Sequence, residues 1–211
     1  ILVVDRLSSD ESRAILEKHP DVRLLEEPPE SGLVAGYAFA VPHARYENLF
    51  FCNEDMWFSP DCLALTERQL DRTERVGGVM PLQLTYDGSA LVNAGTWFTD
   101  ALWNPANPYP FRASVTCRPV VAEPISGINA GACLIAREAY DEVGGWDPTF
   151  FLDYEDLDLS IRLWQRGWRC RVEPRALVHH AVGASNAKVI QRGRSTVARK
   201  RYVACLSNQA T

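Results

Sequence analysis

Four carboxylates, Asp153, Glu155, Asp156 and Asp158, crowd the stretch that follows the glycine pair Gly144-Gly145 and the phenylalanines Phe150 and Phe151. Leu157, Ile161 and Trp164 fall at i, i+4 and i+7, which predicts a helix with one apolar face and the acids in its first turn. Acids at that end cap free amides and complement the helix dipole, each worth about 1 kcal/mol. Capping uses one or two of them, and like charges this close repel. The surplus, behind a glycine pair and two phenylalanines that can wall a cleft, fits a functional site at the helix mouth.

A second group, Asn53-Glu54-Asp55, ends the apolar run Asn48-Leu49-Phe50-Phe51-Cys52. Three oxygen-bearing side chains at a strand tip are a hard donor set of the kind that magnesium or manganese takes up alongside phosphate oxygens. The same residues favour turns, so both readings stand. Asp5 likewise follows the apolar run Ile1-Leu2-Val3-Val4. His179-His180 ends the run Ala176-Leu177-Val178 in a chain with only 4 histidines. A lone histidine is more often structural, but a pair at a strand end is a candidate ligand, with either ring as the donor.

These groups need a scaffold, and the composition allows one. The 211 residues, 46% hydrophobic and 23% charged, make an ordinary globular chain, long enough to bury about 70% of its unfolded surface as a single domain. A net charge of -5 gives no basic footprint for nucleic acid; the longest basic run is Arg199-Lys200-Arg201. No segment is apolar for long enough to span a bilayer. The 6 cysteines show no C-x-x-C pair, which predicts reduced, mostly buried thiols of a cytosolic protein and no zinc site.

In chain order, strand Ile1–Val4 leads to a helix opened by Ser8 and Glu11 at capping-box spacing. Strand Val22–Leu25 follows, then a small-residue helix from Gly32 to about Arg45, and strand Asn48–Cys52. That alternation predicts an α/β fold, a doubly wound, mostly parallel sheet with helices on both faces and ligands at the C-terminal strand ends. Pro60-Asp61 starts a helix through Leu63, Leu65 and Leu70. Val76–Met80 is a strand, and Asp87-Gly88 a hairpin turn between Gln83–Thr85 and Ala90–Val92. Residues 103–111 read as a long loop over the site. Strand Ile128–Ala136, helix Glu138–Val143, strand Cys170–Val172 and a strand to His180 complete the order, with a polar, basic tail from Ser185.

On these residues the chain resembles glycosyltransferases of family 2, of GT-A fold, particularly the bacterial rhamnosyltransferase and polysaccharide-assembly type. Val4-Asp5 with Ser8, Asp10 and Ser12 resembles the family's V-D-N-x-S-x-D-x-S signature, whose aspartate contacts the nucleotide base. Gly32 and Gly36 resemble its N-x-G-x-x-x-G helix start. Asn53-Glu54-Asp55 resembles its D-x-D metal and diphosphate motif, with Pro60-Asp61 following. Gly131–Ile135, Val143–Asp147 and Glu155–Leu159 with Arg162 resemble the acceptor-side block that ends in E-D. Pro174, Ala176, His180, Gly183 and Ser185 resemble its closing P-x-A-x-x-x-H-x-x-G-x-S. Arg6, Glu30 and Tyr37-Ala38 depart from the pattern, and nothing before Ile1 corresponds to the family's first strand and helix, so a chain lacking them is expected.

The resemblance implies a transferase that binds a UDP- or dTDP-sugar through Asp5, Gly32, Asn53, Glu54 and Asp55. It implies a Mg2+ or Mn2+ ion held by Asp55, Asn53 and His180, and a glycan or lipid-linked acceptor used in cell-wall or other polysaccharide biosynthesis. Residues 1–80 would form the nucleotide-binding part, 81–185 the acceptor side and 186–211 a tail. The expected location is cytoplasmic, the inner face of the membrane included. The resemblance also implies a base at the E-D motif, with Asp156 deprotonating the acceptor hydroxyl and Glu155 orienting or contacting the acceptor; one base and no covalent nucleophile imply a single displacement with inversion. The competing readings are a non-catalytic sugar-binding module, a nucleotidyltransferase and a paired-carboxylate glycoside hydrolase; the last needs neither metal nor nucleotide.

Overall fold

The structure, a computed structural model, describes residues 1–5, 8, 11–26, 32–98, 105–106, 109, 111–119, 121–150 and 154–181. Expectations for Arg6, Asp10, Glu30, Phe151, Asp153, Gly183, Ser185 and the tail lie outside these residues. So does most of the expected 103–111 loop.

The elements are β1 (Leu2–Asp5), α1 (Ser12–Leu16), β2 (Arg23–Glu26), α2 (Leu33–Ala40), β3 (Asn48–Cys52), β4 (Met56–Phe58), α3 (Cys62–Glu67) and β5 (Val76–Thr85). They continue with β6 (Leu91–Asn93), β7 (Trp97–Phe98), β8 (Pro105–Ala106), β9 (Glu123–Ile125), β10 (Ala132–Ala136), α4 (Arg137–Glu142), α5 (Glu155–Gln165) and β11 (Arg169–His180). A seven-stranded sheet runs β3-β10-β5-β11-β4, with β6 on β5 and β9 on β11. β1 and β2 pair in parallel as a separate two-stranded sheet. Within the large sheet β3, β5 and β11 point one way, because β10 runs antiparallel to both β3 and β5 while β5 and β11 are parallel. The pairings are therefore more mixed than the expected sheet: β10 is inserted against the common direction, and the short strands β4, β6 and β9 add antiparallel partners.

Two apolar clusters lie on opposite faces of the large sheet, as strand alternation requires. Leu49, Phe51 and Leu177 join Leu159 and Leu163 of α5 and Ala139 and Tyr140 of α4. Phe50 and Val178 join Cys62 and Leu65 of α3. Helices thus cover both faces. β5 is buried along nearly its whole length, which is why it reads as an apolar run without alternation. Gly77 permits this closeness, since a Cβ there would stand 2.6 Å from the Ala139 Cβ and 2.8 Å from the Trp168 ring.

Several boundaries differ from expectation for identifiable reasons. β5 runs unbroken through Pro81, and β11 through Pro174. The two strands lose register where these prolines sit, stepping from Glu173 opposite Pro81 to Leu177 opposite Leu82. A proline offers no amide to the ladder, so a bulge accommodates both. β10 starts at Ala132, not Ile128, because residues 129–131 turn towards α5. Ser8 does not cap α1; its hydroxyl and amide are both spent on Asp5. On α5 the buried apolar residues are Leu159 and Leu163, whereas Trp164 is 48% exposed. Cys62, Cys133 and Cys170 are buried thiols, and Cys52 and Cys117 are exposed.

Candidate active site

The chain reaches α5 through two left-handed glycines, Gly144 and Gly145, and a left-handed Tyr154 at φ 69°. A bulky residue in that region is uncommon and is held there by its surroundings. Arg162 ties the glycine turn to α5. Its guanidinium donates to the carbonyls of Val143 and Gly145 and pairs with Asp158 at 2.6 Å. Asp158 therefore plays the structural part that a helix-mouth acid is normally given. Glu155 is buried at the helix start.

Asp156, the partly buried acid between them, faces the turn ahead of β10. Its Oδ2 accepts from Asn129 Nδ2 at 3.0 Å and from the Ala130 amide at 3.4 Å; its Oδ1 accepts from the Leu157 amide at 2.8 Å. Burial pushes its carboxyl above the ordinary carboxylate value, against the pull of those three hydrogen bonds. A carboxylate so placed is more basic than a solvated one, which suits proton abstraction near neutral pH. Sequence reasoning missed Asn129 and Gln83 behind it, whose Nε2 donates to Asn129 Oδ1 at 2.9 Å. The available signal was a glutamine in an otherwise apolar strand, which marks a buried polar partner.

The tip of β3 lies across the same turn. The Asn53 amide donates to the Gly131 carbonyl at 2.9 Å, and the Tyr37 hydroxyl lies 3.0 Å from Asn53 Oδ1 and 3.2 Å from the Ala130 carbonyl. Burial, followed by neighbouring charges that include Glu54 and Glu155, raises Tyr37 well above the usual phenol value, so it stays a donor. The Asn53 oxygen, expected among the metal ligands, accepts from Tyr37 with one of its two lone pairs, and its NH2 group is a donor of the kind that suits a phosphate oxygen.

Asp55 and His180 do come together. β4 pairs antiparallel with the end of β11, setting Met56 opposite His180, and His180 Nε2 stands 3.1 Å from Asp55 Oδ1. Both side chains are mostly buried. His179 faces away and stacks on Trp57 at 3.7 Å and 11°, so of the two histidines it is His180 that reaches the acid. Among the described residues no cluster of three or more His, Cys, Asp or Glu side chains is formed. One carboxylate and one imidazole fit a Mn2+ or Mg2+ ion that takes its other ligands from a diphosphate and water. Glu54 is exposed beside them.

Asp5 and Gly32 stand at the end of β1 and the start of α2. Asp5 is buried at the end of β1, where Ser8 and the Arg13 guanidinium, 2.7 Å away, hold its carboxyl below the ordinary value. Arg13 also pairs with Glu26 on β2. Among the described residues these partners do not join Asp5 to Asn53, Asp55 or Asp156. Gly32 is the buried, extended residue at the N-terminus of α2.

The family model described as Glycosyl transferase family 2 matches residues 1–144. The chain belongs to this family. It is 25% identical, over 205 aligned residues, to the N-acetylglucosaminyl-diphospho-decaprenol L-rhamnosyltransferase of Mycobacterium tuberculosis, in two strains. That alignment covers 85% of this chain and 66% of the relative, so the chain spans just under two thirds of the curated relatives' length. GalNAc-T7 with UDP, GalNAc and Mn2+ matches with a TM-score of 0.66 at 17% identity, over 85% of this chain and 37% of that one. The mannosyltransferase PcManGT from Pyrobaculum calidifontis, in complex with GDP-Man and Mn2+, matches at 0.57 and 18%, over 86% and 47%. These likenesses establish the GT-A glycosyltransferase fold.

Proposed function

We propose that the chain carries the centre of an inverting, metal-dependent glycosyltransferase. It would move a sugar from a UDP- or dTDP-sugar to a hydroxyl of a glycan or lipid-linked acceptor in cell-wall or other polysaccharide biosynthesis. Residues 1–80 bind the nucleotide, residues 81–185 face the acceptor and residues 186–211 form a tail. The observation that carries this reading is Asp156, a carboxylate made more basic by burial and set across one turn from the β3 tip. The relative named as an L-rhamnosyltransferase acting on a diphospho-decaprenol supports a lipid-linked acceptor. Such an acceptor would bring the protein to the cytoplasmic face of the membrane; among the described residues no helix is long and apolar enough to cross it.

Asp55 and His180 would hold the divalent ion, which when bound supplies charge neutralisation of the leaving diphosphate. Asn53 offers its amide to a diphosphate oxygen. Asp5 and Gly32 line the nucleotide side, with Glu54 at its rim. Asp156 takes the proton of the acceptor hydroxyl as that oxygen bonds to the anomeric carbon from the face opposite the diphosphate. Glu155 orients the acceptor. The anomeric C–O bond breaks, its electron pair leaves with the nucleoside diphosphate, and the configuration inverts because only one displacement occurs.

Asp156→Asn keeps the shape and removes the base. Turnover of UDP- and dTDP-sugars is expected to fall about 100- to 10,000-fold, while UDP and Mn2+ still raise the melting temperature as in the parent chain. Near-parental turnover in the variant would refute the assignment.

A further inference from the structure

We infer that Asn129 and Gln83 are positioning residues for Asp156, together fixing which oxygen of its carboxylate receives the acceptor's proton. This rests on the reading of Asp156 as the base. Asn129 Oδ1 accepts from both Gln83 Nε2, at 2.9 Å, and the Gly131 amide, at 3.1 Å. Those two donors occupy the carbonyl's two lone pairs. The side chain can then point only its NH2 at Asp156. Flipping it would set amide hydrogens against amide hydrogens and a carbonyl against a carboxylate. Gln83 is 1% exposed on a central strand, where leaving such a group without its partner is unfavourable.

The consequence falls on Asp156. A carboxylate has about four lone-pair sites, two on each oxygen. Oδ2 spends both, on Asn129 and on the Ala130 amide, whereas Oδ1 accepts from the Leu157 amide of the same helix turn, and the residue's own amide adds a weaker local pull on the carboxylate. Oδ1 is therefore the oxygen that takes the proton, and the Gln83-Asn129 pair keeps Oδ2 out of that role. The same pair favours the ionised carboxylate, opposing the burial that favours the neutral one. The titratable groups around Asp156 are the Cys133 thiol on β10, which burial holds neutral, and Glu155 and Asp158 on its own helix, the latter paired with Arg162.

Aspartate labelled with 13C at the carboxyl would report the titration of Asp156 directly, its signal being the one missing from Asp156→Asn. Asn129→Asp puts a second carboxylate where a donor stood, and the Asp156 titration is expected to move up by at least about one pH unit. Gln83→Met keeps the volume and frees Asn129 to flip; a smaller upward shift is expected. In both variants the acid limb of kcat/KM for the UDP- or dTDP-sugar that the parent turns over should move with the NMR titration. In Gln83→Met, kcat is expected to fall about 10- to 100-fold, the usual size for loss of an outer-shell partner, with KM for the donor unchanged. A structural role alone would lower the melting temperature and leave the acid limb in place. An unmoved titration in a cooperatively folded Gln83→Met, with Asp156→Asn inactive, overturns this inference alone. An active Asp156→Asn overturns the base assignment as well.

Discussion

His180 and Asp55 touch through a single nitrogen-oxygen approach, so each is the other's main polar neighbour. Asp55→Ala and His180→Ala are expected to weaken UDP binding in Mn2+, the first more than the second, and to leave the weaker binding in EDTA unchanged. Calorimetry that finds one affinity for parent and variants, with and without the ion, would remove the metal from the site. Asp5 gives a separate prediction. Its folded carboxyl titrates below the ordinary 3.8, through Ser8 first and Arg13 after it. The stability it contributes is therefore complete above its unfolded value and lost as the pH falls through the folded one. Asp5→Asn should melt earlier than the parent at neutral pH, and the gap should close as the pH drops below about 4. A gap that stays constant across that range would show that Asp5 acts through packing instead. The structure shows which of the acids turns towards Asn129; their crowding around Asp156 was legible in sequence. Asn129 was not, because nothing in a lone asparagine tells which way its amide will point until both of its neighbours are in place.

α5 buries Leu159 and Leu163 completely and leaves about half of Trp164 in water. Leu159→Ala and Leu163→Ala are each expected to cost about 2–5 kcal/mol. Trp164→Ala should cost under about 1 kcal/mol. Urea titrations of the three variants decide the matter, and a Trp164 loss as large as the leucine losses would contradict the helix's orientation. The sequence pattern favoured the stripe Leu157, Ile161, Trp164 because tryptophan counts heavily as an apolar residue, yet two leucines four apart fill the cleft over the sheet more compactly. Strand breaks were misjudged for a similar reason. Pro81 and Pro174 look like terminators in isolation, whereas side by side they share one bulge. The glycine pair separates α4 from the approach to α5, both residues being left-handed. Gly145 is left-handed, and a Cβ on it would lie 2.4 Å from the Tyr140 ring. Gly145→Ala is expected to destabilise by about 1–2 kcal/mol from backbone strain alone, before the clash is counted. A variant as stable as the parent would mean that Tyr140 yields freely.

At the scale of the molecule, the strand-helix alternation was enough to give an α/β architecture, but the antiparallel insertion of β10 carries no mark in the sequence. It is set by which edge the returning chain meets. The seven-stranded sheet and the β1–β2 pair share no ladder among the described residues, and β1 has a partner strand on one side only. β5, by contrast, lies between β10 and β11. In a parallel ladder the amides of successive residues face opposite edges, so about half of those in β1 look away from β2. Proton exchange with heavy water will separate the two regions: amides of β5 around Gln83 should exchange only through global unfolding, and those of β1 through local opening at far lower free energy. Mass-spectrometric exchange that finds both regions equally slow would mean that β1 is held on its second edge. Otherwise the strand that carries Asp5 will take up deuterium long before the rigid strand that carries Gln83, and a bound nucleotide that slows the first without changing the second would reveal where its binding energy is spent.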